Sequence, residues 1–253
     1  MVDSGSSDGG AELAAEWGAE VVRLDGNRGF GAGCNAGIEQ VTEPVTAFVN
    51  PDVELLDDGL ARLGGDALAG GALLAPRLLN ADDSVQDSAH PLPGRLGALV
   101  PALLPRRLLP TRFEPWRASR PRTVGWAVAA CIVGRTDELR SLGPFDPDAF
   151  LFYEDMELCL KARRAGIPTV YRPDVAVRHL GGASTGRALP EERDLELRAR
   201  RRREVMAEEG RARLALDDLS EALTFATRAA ARSLTGRGQL ERRRLRALLR
   251  ARR

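Results

Sequence analysis

Lysine is nearly absent from this chain: of 37 basic residues only Lys161 is a lysine, and the rest are arginines. Such a bias follows genome composition rather than structure. Cysteine is scarce too. Cys34, Cys131 and Cys159 are odd in number and far apart, which argues against a disulfide framework or structural zinc and for a reducing cytoplasm. No stretch of about 18 uninterrupted apolar residues occurs, so no transmembrane helix is expected. The opening Met1-Val-Asp-Ser-Gly lacks the features of a signal peptide, so a cytoplasmic location is expected.

What is present is ordinary in amount and uneven in place. The hydrophobic fraction, 43%, suits a globular protein. Net charge is only +1, yet from Arg228 onward ten arginines face one acid, Glu241. Arg242 to Arg250 at helical spacing has two readings: peripheral contact with anionic lipid at the inner face of the plasma membrane, or a solvated basic end. No aromatics interleave with these arginines, so nucleic-acid binding is not expected.

A length of 253 residues suggests one sizeable domain with an appendage. Residues 1–190 are expected to form it, and 191–253 a charged helical extension. Val2-Asp3 reads as a strand end, and 11–17 as a helix that Ser7 or Asp8 can cap. A β-rich run follows at 20–24, a helix at about 34–40, and a strand at 45–49 that stops at Asn50-Pro51-Asp52. This alternation indicates an α/β sandwich with a mostly parallel mixed sheet between helices. Such sheets bind ligands at the carboxyl ends of their strands, so Asp3, the Gly-rich loop after residue 25 and Asp52 belong on one edge. Further strands are expected within 69–79, over 123–133, at 169–171 and at 175–180. Between 86 and 122 seven prolines break the pattern, as in a lid or acceptor-binding loop.

The stretch Phe150-Leu-Phe-Tyr-Glu-Asp-Met-Glu-Leu-Cys159 sets three carboxylates, Glu154, Asp155 and Glu157, directly after a bulky apolar run. Leu158, Ala162 and Ala165 follow at helical spacing, so the acids fall in a first turn, where the helix dipole favours them. Helix-start stabilisation is one reading. Emergence at a pocket edge, as general base or metal ligand, is the other.

Gly31-x-Gly33-x-x-Ala36, with Asp52 downstream, also matches a dinucleotide-binding fingerprint, so an NAD-dependent oxidoreductase stays open as an alternative. A tight helix-packing turn explains the glycines equally well. Asp52 after one strand, His179 after another and the acid cluster between them make an oxygen- and nitrogen-rich set suited to Mg²⁺ or Mn²⁺.

Taken together, six segments resemble the inverting family 2 glycosyltransferases of the GT-A fold. Val2-Asp3-Ser-Gly-Ser6-Ser-Asp8-Gly resembles "VDNxSxDG", and Asn27-Arg28-Gly29-Phe-Gly31-Ala-Gly-Cys-Asn35-Ala-Gly resembles "NxGFAxGxNxG". Asn50-Pro-Asp52 resembles a variant of the "DxD" triplet. Gly125-Trp126 through Arg135, including Ala130, is similar to the acceptor-side "WxxGAxxxxRR". Residues 145 to 166 resemble "FDExFFxYxEDxDLCxRxRxxG", and His179-Leu-Gly-Gly-Ala-Ser184 the closing "HxxGxS". The subgroup resembled is rhamnosyltransferase-like and builds bacterial cell-surface polysaccharide.

The resemblance implies roles. Asp3 would contact the base or ribose. Ser6, Asp8, Asn27, Arg28, Gly29, Gly31 and Asn35 would line the pocket of a nucleotide-sugar donor such as dTDP-rhamnose. Asp52 and His179 would bind a divalent metal, Mg²⁺ or Mn²⁺. Asp155 would be the general base with Glu154 beside it, and Trp126, Ala130 and Glu157 would face a glycan or lipid-linked acceptor. Three departures stand out. The family's opening strand and "TYN"-like turn are missing, so a fold truncated at its N-terminus is expected, and a non-catalytic remnant is a second reading. Ala129 stands where the family has glycine. The triplet holds one acid instead of two.

Overall fold

The computed structural model describes residues 1–105, 108–147, 149–181, 191–233 and 238–252. A first βα unit runs from β1 (Val2–Asp3) through α1 (Gly10–Glu16) to β2 (Val22–Arg23), and β1 and β2 pair in parallel as a separate ribbon. Then come α2 (Phe30–Ile38), β3 (Val45–Val49), β4 (Val53–Leu55), α3 (Gly59–Gly70) and β5 (Leu73–Leu79). The Pro-rich segment is not structureless. It holds β6 (Ala89–His90), two short 3-10 turns and α4 (Leu99–Leu103).

The expected strand over 123–133 is three strands: β7 (Arg122–Val124), β8 (Trp126–Ala127) and β9 (Cys131–Arg135). The break lies at Gly125. Its N–H donates to the His90 carbonyl at 2.8 Å, and a Cβ there would lie 2.2 Å from the Leu92 nitrogen. Only glycine lets the two backbones approach so closely, and the approach draws β8 out of the main sheet to pair with β6. The helices α5 (Thr136–Leu142) and α6 (Glu154–Arg164) follow.

The two strands expected at 169–171 and 175–180 are one, β10 (Thr169–His179), whose pairing with β5 slips between Arg172 and Ala176. Pro173 has no N–H to give a ladder, so an interior proline is tolerated at such an irregularity. The main sheet has the order β3-β9-β5-β10-β4, with β7 beside the start of β10. It is mixed, as expected, but its parallel share is smaller than expected. Only β5–β10 runs parallel within it, because β4, β7 and β9 all enter antiparallel.

α6 is buried on nearly every side. Leu158, Cys159 and Ala162 pack on the sheet with Leu73, Ile132 and Tyr171. Met156 and Leu160 pack the opposite way, against Val205 and Met206. Those two belong to α7 (Glu191–Ala207), which with α8 (Arg211–Ser233) and α9 (Gln239–Ala251) forms a mutually packed helical layer. The basic C-terminus is therefore neither loose nor uniformly solvated. Arg243 pairs with Glu191, Arg250 with Glu196 and Arg252 with Asp218. No helix among the described residues is long and apolar enough to cross a membrane.

Candidate active site

The acid cluster sits where the sequence places it, in the first turn of α6. The chain reaches it under strain. Phe152 (φ 78°) and Tyr153 (φ 60°) both adopt left-handed backbone, which costs a non-glycine residue about 1–3 kcal/mol and concentrates at functional sites. Packing holds them there: Phe152 is buried, and the Arg198 guanidinium of α7 lies 3.6 Å above its ring.

Glu154 and Asp155 are both pushed up from the usual carboxylate range. Burial is the main cause for each, bringing Glu154 to about 7 and Asp155 to about 6, and the neighbouring Asp155 charge raises Glu154 further. Backbone N–H groups of Met156 and Ala129 favour ionised Asp155, and Arg198 works in the same sense on both acids. Glu154 Oε2 is buried without a hydrogen-bond partner. The ionised form of Asp155 therefore disfavours ionisation of Glu154 beside it.

The Ala129–Ala130 turn connects this pair to a second one. The Ala129 N–H favours the ionised form of Asp155, while the Ala130 carbonyl accepts the Asn50 N–H at 2.9 Å. Asn50 leads to Asp52, whose Oδ1 lies 3.3 Å from His179 Nε2, each side chain 13% exposed. The antiparallel pairing of β4 with the end of β10 brings them together, and the Leu180 N–H donates to the Asp52 carbonyl at 3.0 Å. Around the imidazole stand two amides: Gln86 Oε1 at 2.9 Å from Nδ1 and Asn50 Nδ2 at 3.4 Å from Nε2. Asp52 Oδ1 and His179 Nε2 thus offer an oxygen and a nitrogen side by side, a donor set that could take a divalent cation. Among the described residues no cluster of three or more His, Cys, Asp or Glu could hold a metal, so the remaining ligands would come from a bound diphosphate or water.

The glycine loop does something the fingerprint reading did not anticipate. A Cβ on Gly29 would lie 2.0 Å from the Phe150 carbonyl oxygen, and one on Gly31 would lie 2.9 Å from Phe145 Cβ. The glycines admit the chain that leads into the acid cluster, so a dinucleotide pyrophosphate is not needed to explain them. Asn35 fastens the same contact from α2, donating to the Phe145 carbonyl at 2.9 Å and accepting its N–H at 3.3 Å. Asn27 closes its own turn on the Gly29 N–H at 3.0 Å, and Arg28 is exposed beside it. Asp3 is buried and accepts the Ser6 N–H at 3.0 Å. Hydrogen bonds from Ser6 hold its carboxyl below the ordinary value. Ser6 itself is exposed, and Asp8, also exposed, accepts the Gly10 N–H at 3.0 Å.

Glu157 is occupied otherwise than expected. It is buried, Arg201 of α7 donates to its Oε2, and Lys161 lies 2.9 Å from Oε1. Arg201 also lies 3.2 Å from Asp146. Trp126 stacks on His90, centroids 4.0 Å apart, and stands 6.4 Å from the Tyr153 ring. Sequence reasoning missed Gln86, His90, Arg198 and Arg201. No local pattern marks them, since each meets its partner only through the tertiary fold. Ser184, in the closing segment, lies outside the described residues.

Two family models match the chain in succession. "Glycosyl transferase family 2" covers residues 1–123 and "Glycosyltransferase like family 2" covers residues 117–207. The chain is 29% identical over 212 residues to N-acetylglucosaminyl-diphospho-decaprenol L-rhamnosyltransferase of Mycobacterium tuberculosis, spanning 74% of this chain and 67% of that protein. It is 23% identical to the low-salt glycan biosynthesis hexosyltransferase Agl10 of Haloferax volcanii, over 66% of this chain and 53% of that one. Among solved structures it resembles the mannosyltransferase PcManGT from Pyrobaculum calidifontis in complex with GDP-Man and Mn²⁺. That match has a TM-score of 0.55 and 16% identity, and covers 99% of this chain and 75% of that chain. GalNAc-T7 with UDP, GalNAc and Mn²⁺ also matches at 0.55, with 13% identity, over 78% of this chain and 41% of that one. These likenesses carry the GT-A fold.

Proposed function

Because the chain belongs to glycosyltransferase family 2, rhamnosyltransferase-like, we propose that it moves a sugar with inversion from a nucleotide diphosphate-sugar such as dTDP-rhamnose to a cell-surface glycan or lipid-linked acceptor. One observation carries the reading: one short turn, Ala129–Ala130, lies beside both side-chain pairs, the Ala129 N–H favouring ionised Asp155 and the Ala130 carbonyl accepting the N–H of Asn50, two residues before Asp52. A base and a metal-binding pair are needed within one sugar's reach of each other.

Asp52 and His179 would serve the donor's diphosphate end as cation ligands, with Asn50 and Gln86 beside the imidazole. A divalent cation bound by that pair, Mg²⁺ or Mn²⁺, would supply neutralisation of the diphosphate charge. Asp3, Ser6, Asp8 and the 27–35 loop line the nucleotide side. On the other side Asp155 accepts the proton of the acceptor hydroxyl as its oxygen bonds to the anomeric carbon. The bond from that carbon to the diphosphate oxygen breaks, and the electron pair leaves with the diphosphate. A single displacement inverts the centre. Glu154 lies beside Asp155 in the same helix turn and holds its own proton more readily. The domain boundary we propose, near residue 190, lies outside the described residues. Exposed Arg246 and Leu249 are the part of α9 we assign to an anionic lipid surface.

The test is a donor screen read by product mass: the full chain, each of a set of nucleotide sugars, and Mn²⁺ or Mg²⁺ with and without chelator. A sugar-sized mass gain on an added acceptor that chelation abolishes supports the reading. Tight binding of NAD(H) in calorimetry, with none of dTDP plus Mn²⁺, would overturn it in favour of an oxidoreductase.

A further inference from the structure

From Ser88 to Phe113 the Pro-rich segment holds four arginines and no acid. Its burial runs opposite to that of a helix on a water-facing surface. In the 3-10 turn Leu96–Ala98 and the following α4, the buried residue is the small Ala102, 3% exposed. Thr227 Oγ1 of α8 donates to its carbonyl at 2.7 Å. The exposed residues are the large ones. Leu96 and Leu103 are 71% and 63% exposed, and Leu104 and Leu108, just past the helix, are 45% and 61% exposed. A soluble helix packs leucine inward and leaves alanine or charge outside. Leu109 and Phe113 of the same segment line the cavity that Trp126 and Tyr153 also line. The other four leucines belong to neither core nor cavity. One exposed leucine is ordinary, but four between residues 96 and 108 call for a partner.

We propose that the outer face of this segment lies in the surface of an anionic lipid bilayer, with Leu96, Leu103, Leu104 and Leu108 below the headgroups and the arginines against lipid phosphates. Charge chooses the occupant. Arg95 and Arg112 are exposed at either end of the leucines, and Arg106 and Arg107 lie between them in sequence. With no acid in the run, nothing in it repels a negative surface. An uncharged protein face would match the leucines and leave the arginines unanswered. α9 is basic too, but its Arg243, Arg250 and Arg252 are answered by acids, and its exposed leucines are two, Leu240 and Leu249. Insertion therefore falls to the Pro-rich segment rather than to the basic C-terminus. The inference needs no transferase activity, and with the α9 assignment above it shares only the bilayer.

Flotation of the full chain with phosphatidylcholine vesicles, with and without phosphatidylglycerol, decides it. The unaltered protein is expected to bind the phosphatidylglycerol vesicles about tenfold more tightly than the neutral ones. Leu103→Ser together with Leu104→Ser should weaken that binding by about tenfold. The circular dichroism spectrum and the urea midpoint should stay unchanged, since both positions are exposed. Leu103→Phe together with Leu104→Phe should keep the binding. Arg246→Glu together with Leu249→Ser, on α9, should weaken it less than the serine pair does. Equal binding to the two vesicle types would overturn the inference, as would a serine pair that floats like the unaltered protein. If the α9 variant alone loses binding, the α9 assignment stands and this inference falls. A serine pair that turns a dimer into a monomer in sedimentation velocity, with no flotation of the unaltered protein, would give the face to a second copy and overturn the inference too. The donor screen uses no vesicles, so its failure removes the transferase reading alone.

Discussion

Two side-chain pairs lie beside one turn, one a carboxylate with an imidazole and one two carboxyls, and they are built in different ways. Asp52 and His179 stand at strand ends, ringed by neutral amides and open to solvent on one side. Glu154 and Asp155 stand together at a strained helix start, also half-buried, within the field of Arg198 and Arg201 of α7. The first pair is a product of sheet topology alone. The second takes its character from helices that begin at Glu191, far along the chain. A site for charge neutralisation can be open and locally made. A carboxyl that keeps its proton towards neutral pH needs burial, and here the arginines of α7 oppose part of that shift.

The largest expected effect breaks the comparison on the buried side. Asp155→Asn should lower transfer by about 10²–10⁴-fold while calorimetric binding of the nucleotide stays within twofold. Next comes Arg201→Ala, which leaves Glu157 buried with only Lys161. We expect a loss of about 3 kcal/mol in urea unfolding, the low end for a broken buried pair. The third sharpens the dependence on α7. Arg198 favours the ionised forms of Glu154 and Asp155, so Arg198→Gln should raise their affinity for protons. The acidic limb of the kcat/KM profile should then move to higher pH by about one unit. An unmoved limb with a uniformly lower rate would make Arg198 a packing residue only.

The smallest effect concerns stability. Glu154 has a folded-state value above its unfolded one, so the folded protein keeps that proton longer. Stability is then lost as pH rises from the unfolded value towards about 7. Glu154→Gln removes the loss above that range and changes little below it. The gain in Tm at pH 8 should exceed that at pH 5 by about 3 °C for each kcal/mol recovered.

The legible and illegible parts of the molecule divide along the same line. β3 and the start of α6 could be read locally, because alternation, caps and Gly-Pro punctuation act over a few residues. The Asn50-Pro-Asp52 turn and the pairing of Asp52 with His179 followed from strand ends meeting on one edge. What escaped was tertiary. Pro173 looked like a strand break and is a bulge, because β5 holds β10 on both sides of it. Gly125 looked like strand interior and is a crossing of two backbones. Arg198 and Arg201 looked like members of a solvated charge run, and nothing near them in sequence says that one lies over Phe152 and the other reaches Glu157. The ion pairs of the arginine-rich end escaped for the same reason, since these counter-charges lie on helices α7 and α8.

The burial of α6 between the sheet and α7 has a temporal consequence. The ribosome completes β10 before any of the helices that cover Met156 and Leu160 exist. Until they dock, Glu154 and Asp155 are ordinary acids on an uncovered helix, and Phe152 lacks the packing that holds its strained backbone. A nascent chain therefore carries every residue of both pairs before α7 has docked to hold the strained Phe152 backbone.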